Sequence, residues 1–109
     1  MEGRRFLLAT CIALASVGAH ALEGDPDRAR EHLSACIGCH GIPGYRTAFP
    51  KVYPVPKLGG QHAAYLVKSL QAYRDGTRSH PSMQAIAASL SDQDMADLAA
   101  YYAAPEGGQ

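Results

Sequence analysis

The sequence predicts an all-α domain of about four helices folded around something held by its loops. Three observations support this. Apolar residues recur at the three-and-four spacing of a helix face in several separate stretches. Between the first and second stretches, Pro43, Gly44, Pro50, Pro54, Pro56, Gly59 and Gly60 rule out a long regular element over 41–60. A long loop of this kind in a small domain is usually functional, for instance by wrapping a ligand.

The chain begins with an export signal, read over 1–21. Arg4 and Arg5 give a positive start, Phe6 to Val17 form an apolar run, and Ala19-His20-Ala21 offers small residues at both recognition positions. The run is short of the ~20 apolar residues a bilayer span needs, so an integral membrane protein is not expected. Cleavage after Ala21 removes Cys11 and leaves residues 22–109 as one domain with a formal charge of −1 and two cysteines, Cys36 and Cys39. Such a short chain makes a marginal core without a metal, cofactor or disulfide. At 47% hydrophobic and 18% charged residues, disorder is not expected. A net charge of zero for the whole chain argues against nucleic acid as a partner.

The first helix opens at Asp25 as N-cap with Pro26 at its first position, and Ala29, Leu33 and Cys36 share one face. The second runs from about His62 to Asp75, with Leu66, Leu70 and Tyr73 on one stripe and Gly76 as its stop. After a turn over 77–82, Met83, Ile86, Ala87 and Leu90 are spaced as a third helical face. Ser91 with Asp94 resembles a capping box that starts the last helix. Met95, Leu98, Ala99 and Tyr102 line its buried side, and Pro105 ends it.

Cys36-Ile37-Gly38-Cys39-His40 is the C-x-x-C-H spacing of covalent haem attachment. Residues three and four apart share a helix face, so two thiols and one imidazole can address one flat ligand. A thioredoxin-like redox pair would want a βαβ context, and a zinc site a second Cys/His pair at finger spacing. The chain offers neither, and a structural disulfide leaves His40 unexplained. The expected cofactor is therefore one covalent haem c with its iron, His40 being an axial ligand.

The chain resembles the class I c-type cytochromes, and within them the small bacterial mono-haem carriers and single domains of the di-haem ones. The resemblance spans nearly all of 22–109. It rests on Cys36 to Gly41, Pro56-Lys57-Leu58-Gly59-Gly60-Gln61, Tyr65-Leu66, Tyr73-Arg74-Asp75-Gly76, Met83, Leu90 to Met95 and Leu98 to Tyr102. The stretch Tyr45 to Val55 departs from it in being proline-rich where many relatives carry more glycine. A cytochrome c fold is what the resemblance implies.

For the sixth iron ligand, the exported chain offers the thioethers of Met83 and Met95. Met95 lies inside an apolar stripe and reads as core. Met83 follows the His80-Pro81-Ser82 turn, with His80 and then His62 as alternatives and His32 read as exposed. The resemblance favours Met83. It also assigns the backbone carbonyl of Pro56 as acceptor for the second ring nitrogen of His40, a contact that would fix the imidazole. Tyr45, Arg46, Tyr53, Arg74 and Arg78 are candidate donors to the haem propionates.

The expected function is a periplasmic one-electron carrier. Its donor would be a quinol-oxidising complex or a dehydrogenase, and its acceptor an oxidase, peroxidase or reductase. It would not be an enzyme, since no acid, base or nucleophile constellation is present. The alternatives are a five-coordinate haem sensor or enzyme, and a haem subunit of a larger oxidoreductase complex.

Overall fold

The computed structural model describes residues 21–48 and 51–104. All but the last residue of the expected export segment, together with Cys11, Pro50 and Pro105, lie outside the described residues. The elements in order are a 3-10 turn over Arg28–Glu31, α1 (Leu33–His40), β1 (Arg46–Thr47), β2 (Tyr53–Pro54), α2 (Ala63–Asp75), α3 (Pro81–Ala88) and α4 (Asp92–Ala103). Among the described residues no helix is long and apolar enough to cross a membrane.

The expected first helix is divided. Asp25 Oδ1 accepts the N–H of Asp27 at 2.9 Å and its carbonyl accepts the N–H of Ala29 at 3.3 Å, the contacts of a helix start. The 3-10 turn then tightens the chain, and α1 restarts beyond His32 at φ −109°. The division falls where His32 Nε2 meets Asp94 Oδ1 at 3.0 Å. His32 is thus half-buried and paired, not exposed as its sequence position suggests.

The proline-rich loop also holds more order than expected. Thr47 faces Tyr53, and Arg46 faces Pro54, in a short antiparallel ladder. It continues in the Val55 N–H, which donates to the Tyr45 carbonyl at 3.0 Å. Pro54 has no N–H to give, which limits the ladder to an edge ribbon.

The later helices follow their sequence signals closely. α2 stops at Gly76, whose left-handed backbone (φ 82°) lets its N–H reach the Tyr73 carbonyl. α3 starts at Pro81, two residues ahead of its first apolar residue, because Pro81 is pre-shaped for a first helical position. α4 opens on a reciprocal capping box: Asp94 N–H donates to Ser91 Oγ at 3.0 Å, and Ser91 N–H to Asp94 Oδ2 at 2.8 Å.

α2 packs on α4 and α3, while the 3-10 turn packs on α4 and α1. The core cluster is Ala29, Leu66, Ala87, Leu90, Met95, Leu98, Ala99 and Tyr102. Three of these are alanines, and Met95 is the only large side chain buried completely among the described residues. That is little apolar burial for a domain of this size.

The N-terminal segment is locked down against α4. Asp97, 3% exposed, accepts from Asp25 N–H at 2.7 Å, from Arg28 Nε and Nη2 at 3.0 and 3.1 Å, and from Gln93 Nε2 at 2.9 Å. Gly24 sits so close that a Cβ there would collide with the Ala96 carbonyl.

Candidate functional site

His40 is the last residue of α1, so its side chain leaves the helix next to the Pro43–Pro56 loop. Its Nδ1 lies 2.7 Å from the Pro56 carbonyl oxygen. A carbonyl can only accept, so Nδ1 carries a proton, and in the neutral ring Nε2 keeps a free lone pair. Pro56 is held in turn from further along the loop. Gly60, at φ 81°, donates its N–H to the Tyr102 carbonyl at 3.1 Å, one of the carbonyls that the end of α4 leaves without a helical partner.

Cys36, Cys39 and His40 all line one cavity of about 290 Å³. Met83 reaches the same cavity from α3, which is supported by α2, whereas α1 is supported by the 3-10 turn. Leu58, Leu66, Leu70, Ile86, Leu90 and Leu98 supply apolar wall. His80, the alternative ligand, also lines the cavity, but its Nδ1 is taken: it caps α3 by accepting the Met83 N–H at 3.3 Å. Its ring also meets Tyr53 edge-on at 5.4 Å. His62 is the exposed residue preceding α2 and does not line the cavity. Met95 is buried in the core away from it.

Of the five candidate propionate donors, the cavity is lined by Tyr53 and Arg78. Arg78 is held over the Tyr73 ring at 4.6 Å. Arg74 is engaged elsewhere, its Nη2 lying 2.7 Å from Asp92 Oδ1. Tyr45 and Arg46 belong to the hairpin but not to the cavity wall.

Two groups on the cavity wall, Cys36 and Tyr102, were not legible as a pair in the sequence. The Tyr102 hydroxyl is buried and has no hydrogen-bond partner among the described residues. Burial first, and then the neighbouring Cys36 thiol, push its pKa well above the usual phenol range. Burial likewise raises the Cys36 thiol, with a smaller opposing contribution from the Tyr102 hydroxyl. No hydrogen bond of acceptable geometry joins the two; Cys36 Sγ points instead to the His32 carbonyl at 3.8 Å. Both groups are therefore neutral at ordinary pH. An orphaned hydroxyl on a residue lining an apolar cavity fits a bound group that fills the space.

An imidazole with a free Nε2, two adjacent thiols, an apolar wall and a thioether thus converge on one space. Together with the helical fold, they define the class as c-type haem proteins. The chain belongs to the cytochrome c family, whose model matches residues 27–103. It is similar to cytochrome c-554(548) of Halomonas halodenitrificans, with 42% identity over 86 residues, covering 76% of this chain and 99% of that protein. It is also similar to cytochrome c4 of Pseudomonas aeruginosa, with 35% identity over 99 residues and 91% of this chain, though only 47% of that protein. The chain thus spans about half the length of that relative. A third relative, from Stutzerimonas stutzeri, is named a thiosulfate dehydrogenase electron acceptor; it is 44% identical over 66 residues, 61% of this chain and 29% of that protein. Membership brings a covalent c-type haem with its iron and makes this an electron-transfer protein.

Proposed function

We propose that the chain is a periplasmic one-electron carrier whose haem is bound through Cys36 and Cys39 and whose iron lies between His40 and Met83. The observation that carries this is the pairing of His40 Nδ1 with the Pro56 carbonyl at 2.7 Å, in a cavity that Met83 also lines. When bound, the haem supplies a reversible iron(III)/iron(II) couple.

Everything else falls to the chain. The two thiols anchor the group covalently, so it is not lost between partners. The Pro56 carbonyl holds the imidazole proton on Nδ1 and keeps Nε2 as donor, which fixes ring orientation and basicity. Met83 offers a soft thioether, which favours the reduced state relative to a second imidazole. Tyr53 and Arg78 are the cavity-lining donors suited to the propionates. The leucine wall excludes water, so little has to rearrange when the charge changes. Were His40 and Met83 both to hold the iron, no position on it would be open to a substrate, which favours the carrier over a five-coordinate sensor or enzyme.

A dehydrogenase as electron donor is supported by the name of the Stutzerimonas relative. The export signal read over 1–21 supports the periplasm. The test is a visible spectrum of the purified exported protein in both oxidation states, with a redox titration. A one-electron couple and the weak far-red ferric band of sulfur–iron ligation are expected. Met83→Ala should keep the haem attached, abolish that band and lower the potential; an unchanged spectrum would remove Met83 from the iron.

A further inference from the structure

Tyr102 has little freedom to seek a partner for its hydroxyl. Its backbone belongs to α4, and its carbonyl accepts the Gly60 N–H at 3.1 Å. Its ring meets Tyr101 edge-on at 5.1 Å, and the residue is 5% exposed. The hydroxyl can turn about its own C–O bond, but the ring cannot carry it to water. Burial keeps it protonated, so it stays a donor, and it finds no acceptor among the described residues. A buried donor left unpaired costs free energy, which points to an acceptor that arrives later.

Its neighbour Cys36 packs against the core cluster that contains Tyr102. As a free thiol Cys36 is itself a donor, and its Sγ points to the His32 carbonyl at 3.8 Å. Haem attachment reverses this role. The thiol adds across a vinyl group: a C–S bond forms, the vinyl π bond breaks, and the thiol hydrogen ends on the adjacent vinyl carbon. No electron is gained or lost. The sulfur then carries no hydrogen and can only accept. It has nothing left to give the His32 carbonyl, which still accepts the Ala35 N–H at 3.2 Å. The haem propionates are stronger acceptors, but they leave the macrocycle on the side away from its vinyl groups, and so away from Cys36.

We propose that the Tyr102 hydroxyl donates a hydrogen bond to the Cys36 sulfur once that sulfur is a thioether, and tunes the iron couple through this covalent link. The proposal rests on haem attachment at Cys36 and adds a residue to that site. A donor's positive end beside a sulfur bonded to the macrocycle opposes the extra positive charge of iron(III). The hydrogen bond therefore favours the reduced state, the same direction as the Met83 thioether.

The test compares the haem-loaded wild type with Tyr102→Phe, which removes only the hydroxyl. Each is unfolded and refolded in light or heavy water, a cycle that covalent haem survives. The C–S stretching region is then read by resonance Raman spectroscopy. Wild type should show a thioether band that moves on deuteration, and Tyr102→Phe should lose that movement. At a fixed applied potential, the iron(III)/iron(II) ratio of the variant should be higher by about twofold or more. A wild-type band insensitive to deuterium, a variant that keeps the sensitivity, or an unchanged ratio would overturn the proposal while leaving the carrier intact. A protein whose peptide masses show no haem on Cys36 would overturn the attachment, and the proposal with it.

Discussion

Where the N-terminal segment meets α4, polar groups are matched at short range and the chain is packed to contact. Asp97 is buried with four donors around it, Ser91 and Asp94 cap each other, and Gly24 leaves no room for a methyl group. Around the cavity, tyrosines are half exposed, and among the described residues Lys57 and Arg78 have no carboxylate partner and the buried Tyr102 hydroxyl has no hydrogen-bond partner. The first region is complete as a polypeptide. The second is arranged for something the polypeptide does not supply, and its stability is expected to depend on that group.

The largest effect should come from breaking this dependence. Replacing Cys36 and Cys39 together with Ala leaves the N-terminal latch untouched but removes both covalent anchors. With three alanines in a core cluster of eight residues, the remaining burial is marginal. The expected product is colourless and loosely folded, with weak cooperativity in a denaturant titration and ready proteolysis of the 41–60 loop. A colourless protein with a sharp unfolding transition would mean that the cavity side holds itself together.

A middle-sized effect sharpens the other half of the comparison. Asp97→Asn removes the charge that Arg28 grips and should cost about 1–3 kcal/mol in the haem-loaded protein, read as a lower denaturation midpoint with little change in spectrum. The same group gives a pH dependence. Arg28 first, and then the Asp25 and Gln93 donors, hold the Asp97 pKa down at about 2 against the opposing effect of burial. A depressed carboxyl binds more protons when unfolded, so its stabilisation is complete above the unfolded value near 3.9 and is lost as pH falls through about 2. Wild type should lose stability over that window, and Asp97→Asn should lose less. Equal acid slopes would place the acid sensitivity outside this latch.

The regions differ as well in how far they could be read in advance. The Ser91–Asp94 box, the Gly76 stop and the apolar stripe of α4 are local patterns, each decided by residues within a turn of one another, and all three appear as the spacing predicts. The Cys36–His40 run is local too, so its placement on one helix facing one cavity was legible. What escaped the sequence is contact at long range. The first helix is divided where His32 meets Asp94, 62 residues away in the chain, and the short ladder between Thr47 and Tyr53 forms in a proline-rich stretch. Arg74 and Arg78 look alike as propionate donors in the sequence, and only folding gives Arg74 to Asp92 and Arg78 to the cavity.

His80 belongs to both regions in kind, since it is a helix cap, a structural device, placed on the cavity wall next to Met83. A cap is worth about 1 kcal/mol, the smallest effect considered, but this one fixes the backbone N–H of the residue proposed as iron ligand. Histidine is not among the preferred capping residues, whereas asparagine is, and its side-chain oxygen can accept the same N–H. His80→Ala should therefore lower stability by about 1 kcal/mol and shift the far-red ferric band or the potential, whereas His80→Asn should restore both. Each variant loses the edge-on contact with Tyr53, so that contact cancels in the comparison. If Ala and Asn shift the band equally, the ring and not the cap supports Met83; if neither shifts it, Met83 is positioned by the α2–α3 packing alone.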